Sequence, residues 1–192
     1  MIRLALLIAL LATAAPATEL QVQHSVVKRL VSEQVFTDDG RKYVKANRLA
    51  KCSYAYLENP DISAENGRLK IRARFTGKSG SSFFGSCLSI GDSFQASILA
   101  TPYYKDGSIF LKDVVVRSED KDSYYIRKVR TAMAQAFTQQ FSYRVIDDAK
   151  RMLETPAPKS PFQQQMTYFD VKQIRVTDQA IVLVVEFTMV VK

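Results

Sequence analysis

Histidine and cysteine are scarce in this sequence of 192 residues, which has one histidine, His24, and two cysteines. A Ser-His-Asp or Cys-His mechanism would have to use His24, and its place beside the first predicted helix favours a structural role. No group of histidine, cysteine and carboxylate side chains has the spacing of a metal site. We therefore expect a protein that is not an enzyme and that holds no metal ion and no cofactor.

Two patterns that are similar to catalytic motifs have simpler interpretations. Gly77-Lys78-Ser79 is similar to the end of a P-loop, but Arg72 stands where the first glycine belongs, and no predicted helix follows the segment. The adjacent carboxylates Asp147 and Asp148 are expected to cap a helix rather than to act as acid and base. A hydrolase is therefore disfavoured.

Long apolar segments are also missing, because no stretch after the N-terminus approaches the roughly 18 apolar residues of a membrane helix. The first seventeen residues contain Arg3, the short apolar run Leu4–Ala12 and the small residues Ala15-Pro16-Ala17. This pattern is typical of a secretory signal peptide, and the alternative is a buried N-terminal helix. Cleavage is predicted after Ala17 or Ala14, and the protein is expected to be exported.

Residues 18–192 are predicted to form a single domain, because no Pro/Gly-rich linker divides them and their length suffices for a sizeable core. Export removes Arg3, so the net charge of +8 becomes +7. Outside the inner membrane, a basic protein is expected to meet anionic lipid headgroups, polysaccharide or acidic proteins rather than nucleic acid.

Cys52 and Cys87 are predicted to form a disulfide, because an even pair of cysteines in an oxidising compartment is usually bonded. Closing a loop of about 35 residues contributes roughly 3–4 kcal/mol on the chain-entropy model. Two free thiols are the alternative. Neither cysteine directly follows the signal, so no lipid anchor is expected.

Alternation of apolar and polar residues predicts most of the strands. They are expected over Leu20–Gln23, Ala50–Glu58, Leu69–Phe75, Phe94–Pro102, Ile109–Arg117, Phe169–Val176 and Ala180–Val191. Asn59-Pro60-Asp61 is expected to end a strand, and Lys105-Asp106-Gly107 to form a hairpin turn. The apolar residues change parity in the strand after this turn, which predicts a bulge near Lys112-Asp113.

A period of 3.6 residues predicts the helices. One is expected from a cap at Ser25 to about Phe36, and a short one from a cap at Asp147 to Leu153. The longest follows the acidic segment 119–122 and carries one apolar stripe: Ile126, Val129, Met133, Ala136, Phe137 and Phe141. The order of elements predicts an α+β fold, with an antiparallel sheet and helices laid on one of its faces.

The predicted strand Leu69–Phe75 has one apolar face and one basic face. Lys70, Arg72 and Arg74 alternate with apolar residues along it. Such a row is usually a solvated sheet face, and the alternative is contact with anionic lipid headgroups.

The Gly/Ser-rich segment 77–92 is predicted to be a loop, and it carries Phe83 and Phe84. Two adjacent exposed phenylalanines would suggest a tip that contacts a membrane or the mouth of a ligand tunnel. Folding of both rings back onto the core is the alternative.

Several segments of the sequence together resemble a known family. These are Gly107–Val114, the long helix with Phe137 and Phe141, Tyr143–Val145 and Val176–Ile181. Over roughly residues 20–187 the chain resembles the YceB-like lipoproteins, which are small periplasmic proteins of Gram-negative bacteria. Their fold is similar to the tubular lipid-binding (TULIP, or SMP-type) superfamily, in which a curved sheet wraps a long helix around an apolar tunnel. The chain lacks the lipobox cysteine of that family, and its segment 147–169 is longer.

The resemblance implies a periplasmic binding protein for lipid or another apolar ligand, without enzymatic activity. The implied tunnel is lined by apolar residues of the sheet and the long helix: Leu69, Ile71, Phe75, Phe94, Ile98, Ile126, Met133, Phe137, Phe141 and Phe187. Apolar walls with few polar anchors are typical of ligand sites. The alternative is a filled core in an envelope protein that works through its outer surface, as an interaction or assembly module.

Overall fold

The computed structural model describes residues 18–84, 86–118, 124–155 and 162–192. The predicted signal peptide at 1–17 and the acidic segment 119–122 lie outside the described residues. The described residues form an α+β fold with antiparallel sheets and three helices. None of these helices is long and apolar enough to cross a membrane.

The elements follow one another along the chain with short connections. They are β1 (Thr18–Gln23), α1 (His24–Gln34), β2 (Arg41–Lys45), β3 (Tyr54–Glu65), β4 (Arg68–Phe83), β5 (Ser86–Lys105), β6 (Ser108–Ser118), α2 (Tyr124–Gln140), β7 (Ser142–Tyr143), α3 (Val145–Glu154), β8 (Gln164–Val176) and β9 (Ala180–Val191). Strands β2 to β7 form a six-stranded sheet in that order, which is curled like half a barrel. A three-stranded sheet has the order β1-β9-β8, so the two ends of the described chain pair with each other.

Both sheets and the helices share one apolar core. The inward residues of β4, from Leu69 to Phe75, are fully buried, as the alternation of the sequence predicts. Phe137 of α2 is also fully buried, and its ring meets that of Phe36 edge-on with the centroids 6.1 Å apart. Ile181 and Leu183 extend the core to β9. Burial of such large side chains stabilises the fold by about 1.5–3 kcal/mol per side chain.

Two tight turns join the strands of the long hairpins. Asn66-Gly67 and Asp106-Gly107 both have positive φ at each residue, as a two-residue type I′ turn requires. The second confirms the turn that the sequence predicts. The carbonyl of Gly107 also accepts a hydrogen bond of 3.2 Å from the backbone N–H of Ile146, so this turn is joined to the start of α3.

The bulge predicted in β6 is confirmed. The register of β5 and β6 shifts between Leu99 and Thr101, and Asp113 has a φ of 51°. The guanidinium of Arg68 donates to the carbonyl oxygens of Leu99, at 3.2 Å, and of Asp113. These bonds satisfy carbonyl groups near the irregular part of the ladder, where the bulge leaves a residue unpaired.

The prediction that Asn59-Pro60-Asp61 ends a strand is wrong. Strand β3 continues to Glu65, and the register with β4 shifts between Glu58 and Asp61. Asn59 takes a φ of 54° and absorbs the irregularity. Proline and asparagine are compatible with a bulge as well as with a strand end. Strand β3 continues past the bulge because the longer strand β4 offers it backbone hydrogen bonds on both sides.

The prediction of a loop over 77–92 is also wrong. Strand β4 runs to Phe83 and β5 starts at Ser86, and their register is unbroken from the Leu69–Ala100 pair to the Phe83–Ser86 pair. Glycine and serine conceal the alternation that marks a strand, but their backbone groups still form the ladder. Strand β2 is likewise not among the strands that the sequence predicts.

The expectation of one long helix as the cover of the sheet is corrected. Three helices of 11, 17 and 10 residues share the apolar contacts. Helix α1 packs on β3, α2 mainly on β6, and α3 on β8. Their first residues differ from the predicted caps, because α1 begins at His24 and α3 at Val145, which places Asp147 inside the first turn.

Candidate functional sites

The structure brings most of the predicted tunnel residues together in the core. Leu69, Ile71, Phe75, Ile98, Met133 and Phe137 have no exposed side-chain surface, and Phe94 and Phe141 have very little. The rings of Phe75 and Phe94 stack with their centroids 4.7 Å apart. Phe187 is half-buried at the margin of this cluster. The side chain of Ile126 lies outside the described residues.

An apolar groove lies at the margin of the core, between α3 and the three-stranded sheet. Its volume is about 210 Å³, and its lining is almost wholly apolar: Leu20, Ala149, Met152, Leu153, Phe169, Val185 and Phe187, with Thr18 and Glu19 at the rim. The small side chain of Ala149 leaves the space, and Met152 is 67% exposed. Phe187 therefore belongs both to the predicted site and to this groove.

Helix α3 is held against the groove by polar bonds at both of its ends. At its start, Tyr143 donates a hydrogen bond of 2.6 Å to Asp148, and burial raises the pKa of this tyrosine. At its end, the carboxylate of Glu154 accepts a hydrogen bond of 2.8 Å from the backbone N–H of Met166 in β8. At the rim, Glu19 of β1 pairs with Arg175 of β8. The groove is thus built on elements fixed from several directions.

A second site is the far end of the β4–β5 hairpin, which we call the ribbon: residues 79–84 and 86–90. Among the described strands, β4 and β5 pair here only with each other, since β3 begins at Tyr54, opposite Lys78, and β6 ends at Ser118, opposite Ala96. The predicted disulfide is confirmed, and it joins Cys87 of the ribbon to Cys52 of the preceding loop with 5.3 Å between their Cα atoms. The loop around Cys52 is thereby fastened to the ribbon.

The ribbon carries exposed apolar side chains. Phe84 is 95% exposed, Leu88 83% and Ile90 78%, and the side chain of Phe83 lies outside the described residues. Because the register is unbroken, Leu88 and Ile90 lie on the sheet face that buries Phe94 further along β5. The apolar face of the sheet therefore continues beyond the helices that cover it.

The basic row of β4 is bonded to neighbouring strands. Lys70 donates a hydrogen bond of 2.7 Å to Glu65, and this bond lowers the pKa of the carboxyl group. Arg72 lies opposite Asp61 in the register, and Arg74 donates to Ser93 at 3.2 Å. Arg74 and Ser93 also line an open depression of about 430 Å³. The charges of the row are thus partly compensated within the sheet.

His24 begins α1 and lies next to the β8–β9 turn. Its backbone N–H donates to the carbonyl of Gln179 at 3.0 Å. Its Nε2 atom is buried without a hydrogen-bond partner, and burial lowers the pKa of the imidazole against the opposing effect of Asp178. In the described part of the chain, no three His, Cys, Asp or Glu side chains are grouped so that they could hold a metal ion.

Of the described residues that line the groove, the sequence predicts only Phe187 as a site residue. The side of the groove formed by α3 could have been predicted, since Val145, Ala149, Met152 and Leu153 follow the i, i+4, i+7, i+8 pattern of one helix face. The side formed by β1 could not, because pairing between the two ends of the chain leaves no local signal in the sequence. No family model, curated protein or solved structure matches the chain.

Proposed function

We propose that this protein is an exported, periplasmic binding protein, without enzymatic activity, that holds a lipid acyl chain in the groove between α3 and the three-stranded sheet. The observation that carries the proposal is the groove's lining, which offers almost only carbon surface. Among the described lining residues, the polar side chains are those of Thr18 and Glu19, and Glu19 pairs with Arg175. Ligand sites of apolar molecules have this composition.

The size of the groove limits what it can hold. One water molecule takes up roughly 30 Å³ in the liquid. The groove, with a volume of about 210 Å³, therefore holds on the order of seven groups of that size. That corresponds to a segment of one acyl chain rather than a whole lipid. The rest of the ligand would extend past Met152, which is largely exposed at the groove. The resemblance to the YceB-like lipoproteins favours the same ligand class.

A second candidate function is an interaction or assembly module of the cell envelope. The observation that favours it is the complete burial of Phe75, Met133 and Phe137, which pack in the core where the resemblance implies a tunnel. In that case the groove would take an apolar side chain of a partner protein instead of a lipid.

Titration with a fluorescent fatty acid tests the lipid proposal. The purified protein is expected to bind the probe, and Ala149→Leu, which fills the groove from the helix side, is expected to weaken binding at least tenfold. Met152→Gln changes an exposed side chain and serves as a second variant, with an expected loss of several-fold, should Ala149→Leu fail to fold. Val191→Leu, an exposed site on β9 outside the groove, is the matched control.

Two outcomes would overturn the proposal. If the wild-type protein does not bind the probe, the lipid function is removed and the interaction module is favoured. If it binds but neither groove variant changes the affinity, the ligand is held elsewhere.

A further inference from the structure

The end of the molecule that holds the disulfide combines exposed apolar side chains with positive charge. Phe84, Leu88 and Ile90 are exposed on the ribbon, and Leu49 is 78% exposed in the loop that Cys52 fastens to it. Leu49 is three residues from Cys52, and three residues span at most about 11 Å. The disulfide therefore keeps Leu49 close to the ribbon.

The charges within residues 45–53 and 78–90 are all positive, and the acidic residues Asp39 and Asp92 lie just outside these ranges. Residues 45–53 and 78–90 contain Lys45, Arg48, Lys51 and Lys78 and no acidic residue. All four cations are exposed. Arg48 has an acidic neighbour, Asp39, at 3.6 Å, and both of these side chains are mostly in water, so the pair is weak.

We propose that this end of the molecule, formed by the ribbon and the segment 45–53, docks on the surface of an anionic phospholipid bilayer. Apolar side chains flanked by Lys and Arg are the combination that inserts into the headgroup region while its cations meet anionic lipids. The ribbon is two strands wide among the described residues, and it presents its exposed apolar residues near its end and along one face rather than in a groove. Such a form suits a deformable bilayer better than the flat, extended surface of a protein partner.

At Gly80, the backbones of the two strands of the ribbon lie close together. A Cβ atom at Gly80 would clash with the carbonyl oxygen of Leu88 and would lie 2.6 Å from the Cβ of Ser89. Glycine at this position lets the two strands of the ribbon approach each other closely. The proposal concerns a different part of the molecule from the groove and does not depend on it.

Co-sedimentation with vesicles tests this. The wild-type protein is expected to sediment with equimolar phosphatidylglycerol and phosphatidylcholine, and at least tenfold less with phosphatidylcholine alone. The variant with Phe84→Ser, Leu88→Ser and Ile90→Ser is expected to lose at least tenfold in affinity for the anionic vesicles. A matched variant with Phe162→Ser, Val190→Ser and Val191→Ser changes exposed apolar residues elsewhere and is expected to bind like the wild type.

A fluorescence measurement makes the test independent of the stability of the triple variant. Because the sequence contains no tryptophan, Phe84→Trp introduces a single indole at the tip of the ribbon. Its emission is expected to shift to the blue when anionic vesicles are added, and the shift is expected to disappear in high salt. The groove variant Ala149→Leu is expected to leave vesicle binding unchanged, which separates this proposal from the proposed function.

Three results would overturn the docking proposal. One is equal sedimentation of the wild type and the ribbon variant, and another is an unchanged indole emission of the Phe84→Trp variant when that protein sediments with the vesicles. The third is a concentration-dependent dimer, seen by light scattering, that the ribbon substitutions abolish while vesicle binding is absent. That result would assign the ribbon to self-association.

Discussion

The side chain of Gln34 forms two hydrogen bonds with the backbone of Ser142, 108 residues further along the chain. Its amide nitrogen donates to the carbonyl of Ser142 at 2.7 Å, and its amide oxygen accepts from the N–H of Ser142 at 3.0 Å. The side-chain amide thus forms the same two hydrogen bonds that the backbone of a neighbouring strand would form with β7. It joins the end of α1 to the last strand of the six-stranded sheet.

Replacing Gln34 by Leu is expected to lower the free energy of unfolding by about 1–3 kcal/mol, because two partly buried backbone groups lose their partner. Urea denaturation measures the change. Glu33→Gln, at the adjacent exposed position, is the control and is expected to stay within about 0.5 kcal/mol of the wild type. A loss in Gln34→Leu no larger than in the control would show that water replaces the amide without cost.

Gly107 and Gly67 occupy equivalent turns but differ in their surroundings. Both have positive φ, yet a Cβ atom at Gly107 would lie 2.8 Å from Ile146, whereas Gly67 has open space around it. Gly67→Ala is expected to cost about 1–2 kcal/mol for the backbone conformation alone. Gly107→Ala is expected to cost about 1–3 kcal/mol more, because it overpacks the start of α3.

Thermal or urea unfolding of the two alanine variants measures this difference. Combining Gly107→Ala with Ile146→Ala should recover the additional part of the loss, apart from the effect of Ile146→Ala alone. Equal losses in the two single variants would contradict the role of the contact between the turn and α3.

The disulfide is expected to stabilise the fold and to hold the loop that carries Leu49. Replacing Cys52 and Cys87 by serine removes a closure over 35 residues, with an expected loss of roughly 3–4 kcal/mol on the chain-entropy model. Unfolding of the double variant measures the loss. Hydrogen exchange should increase in residues 46–53 and in the ribbon first, and an even increase over the whole chain would contradict the local role.

His24 is expected to make stability depend on pH near and below neutrality. Burial lowers the pKa of this imidazole from its ordinary value of 6.5, so the unfolded chain binds the proton more tightly than the folded protein. The contribution of neutral His24 is therefore complete above pH 6.5 and is lost as the pH falls towards the lowered pKa. It is the only histidine in the sequence, so one variant can remove the effect.

Urea unfolding at several pH values measures this dependence. The wild type should become less stable as the pH falls from about 7.5 to about 5.5, and His24→Gln should flatten the curve over that range. A curve of equal slope in the variant would assign the dependence to other groups.

The local order of the fold was determined by the sequence itself. The alternation in Leu69–Phe75, the Asp106-Gly107 turn and the parity change near Asp113 each depend on neighbouring residues, and each is present in the structure. The pairing of Cys52 with Cys87 followed from the presence of two cysteines only. The alternation, the turn and the bulge depend on interactions among a few neighbouring residues. The disulfide could be predicted because two cysteines allow only one pairing.

Tertiary structure alone decided the rest. Asn59-Pro60 forms a bulge instead of a strand end because β4 continues beside it. Residues 77–83 are a strand because they pair with residues 86–92. The groove exists because β1 pairs with β9 and brings Leu20 to α3. All backbones offer the same N–H and C=O groups, so the periodicity of one segment indicates a strand but does not indicate which distant segment pairs with it.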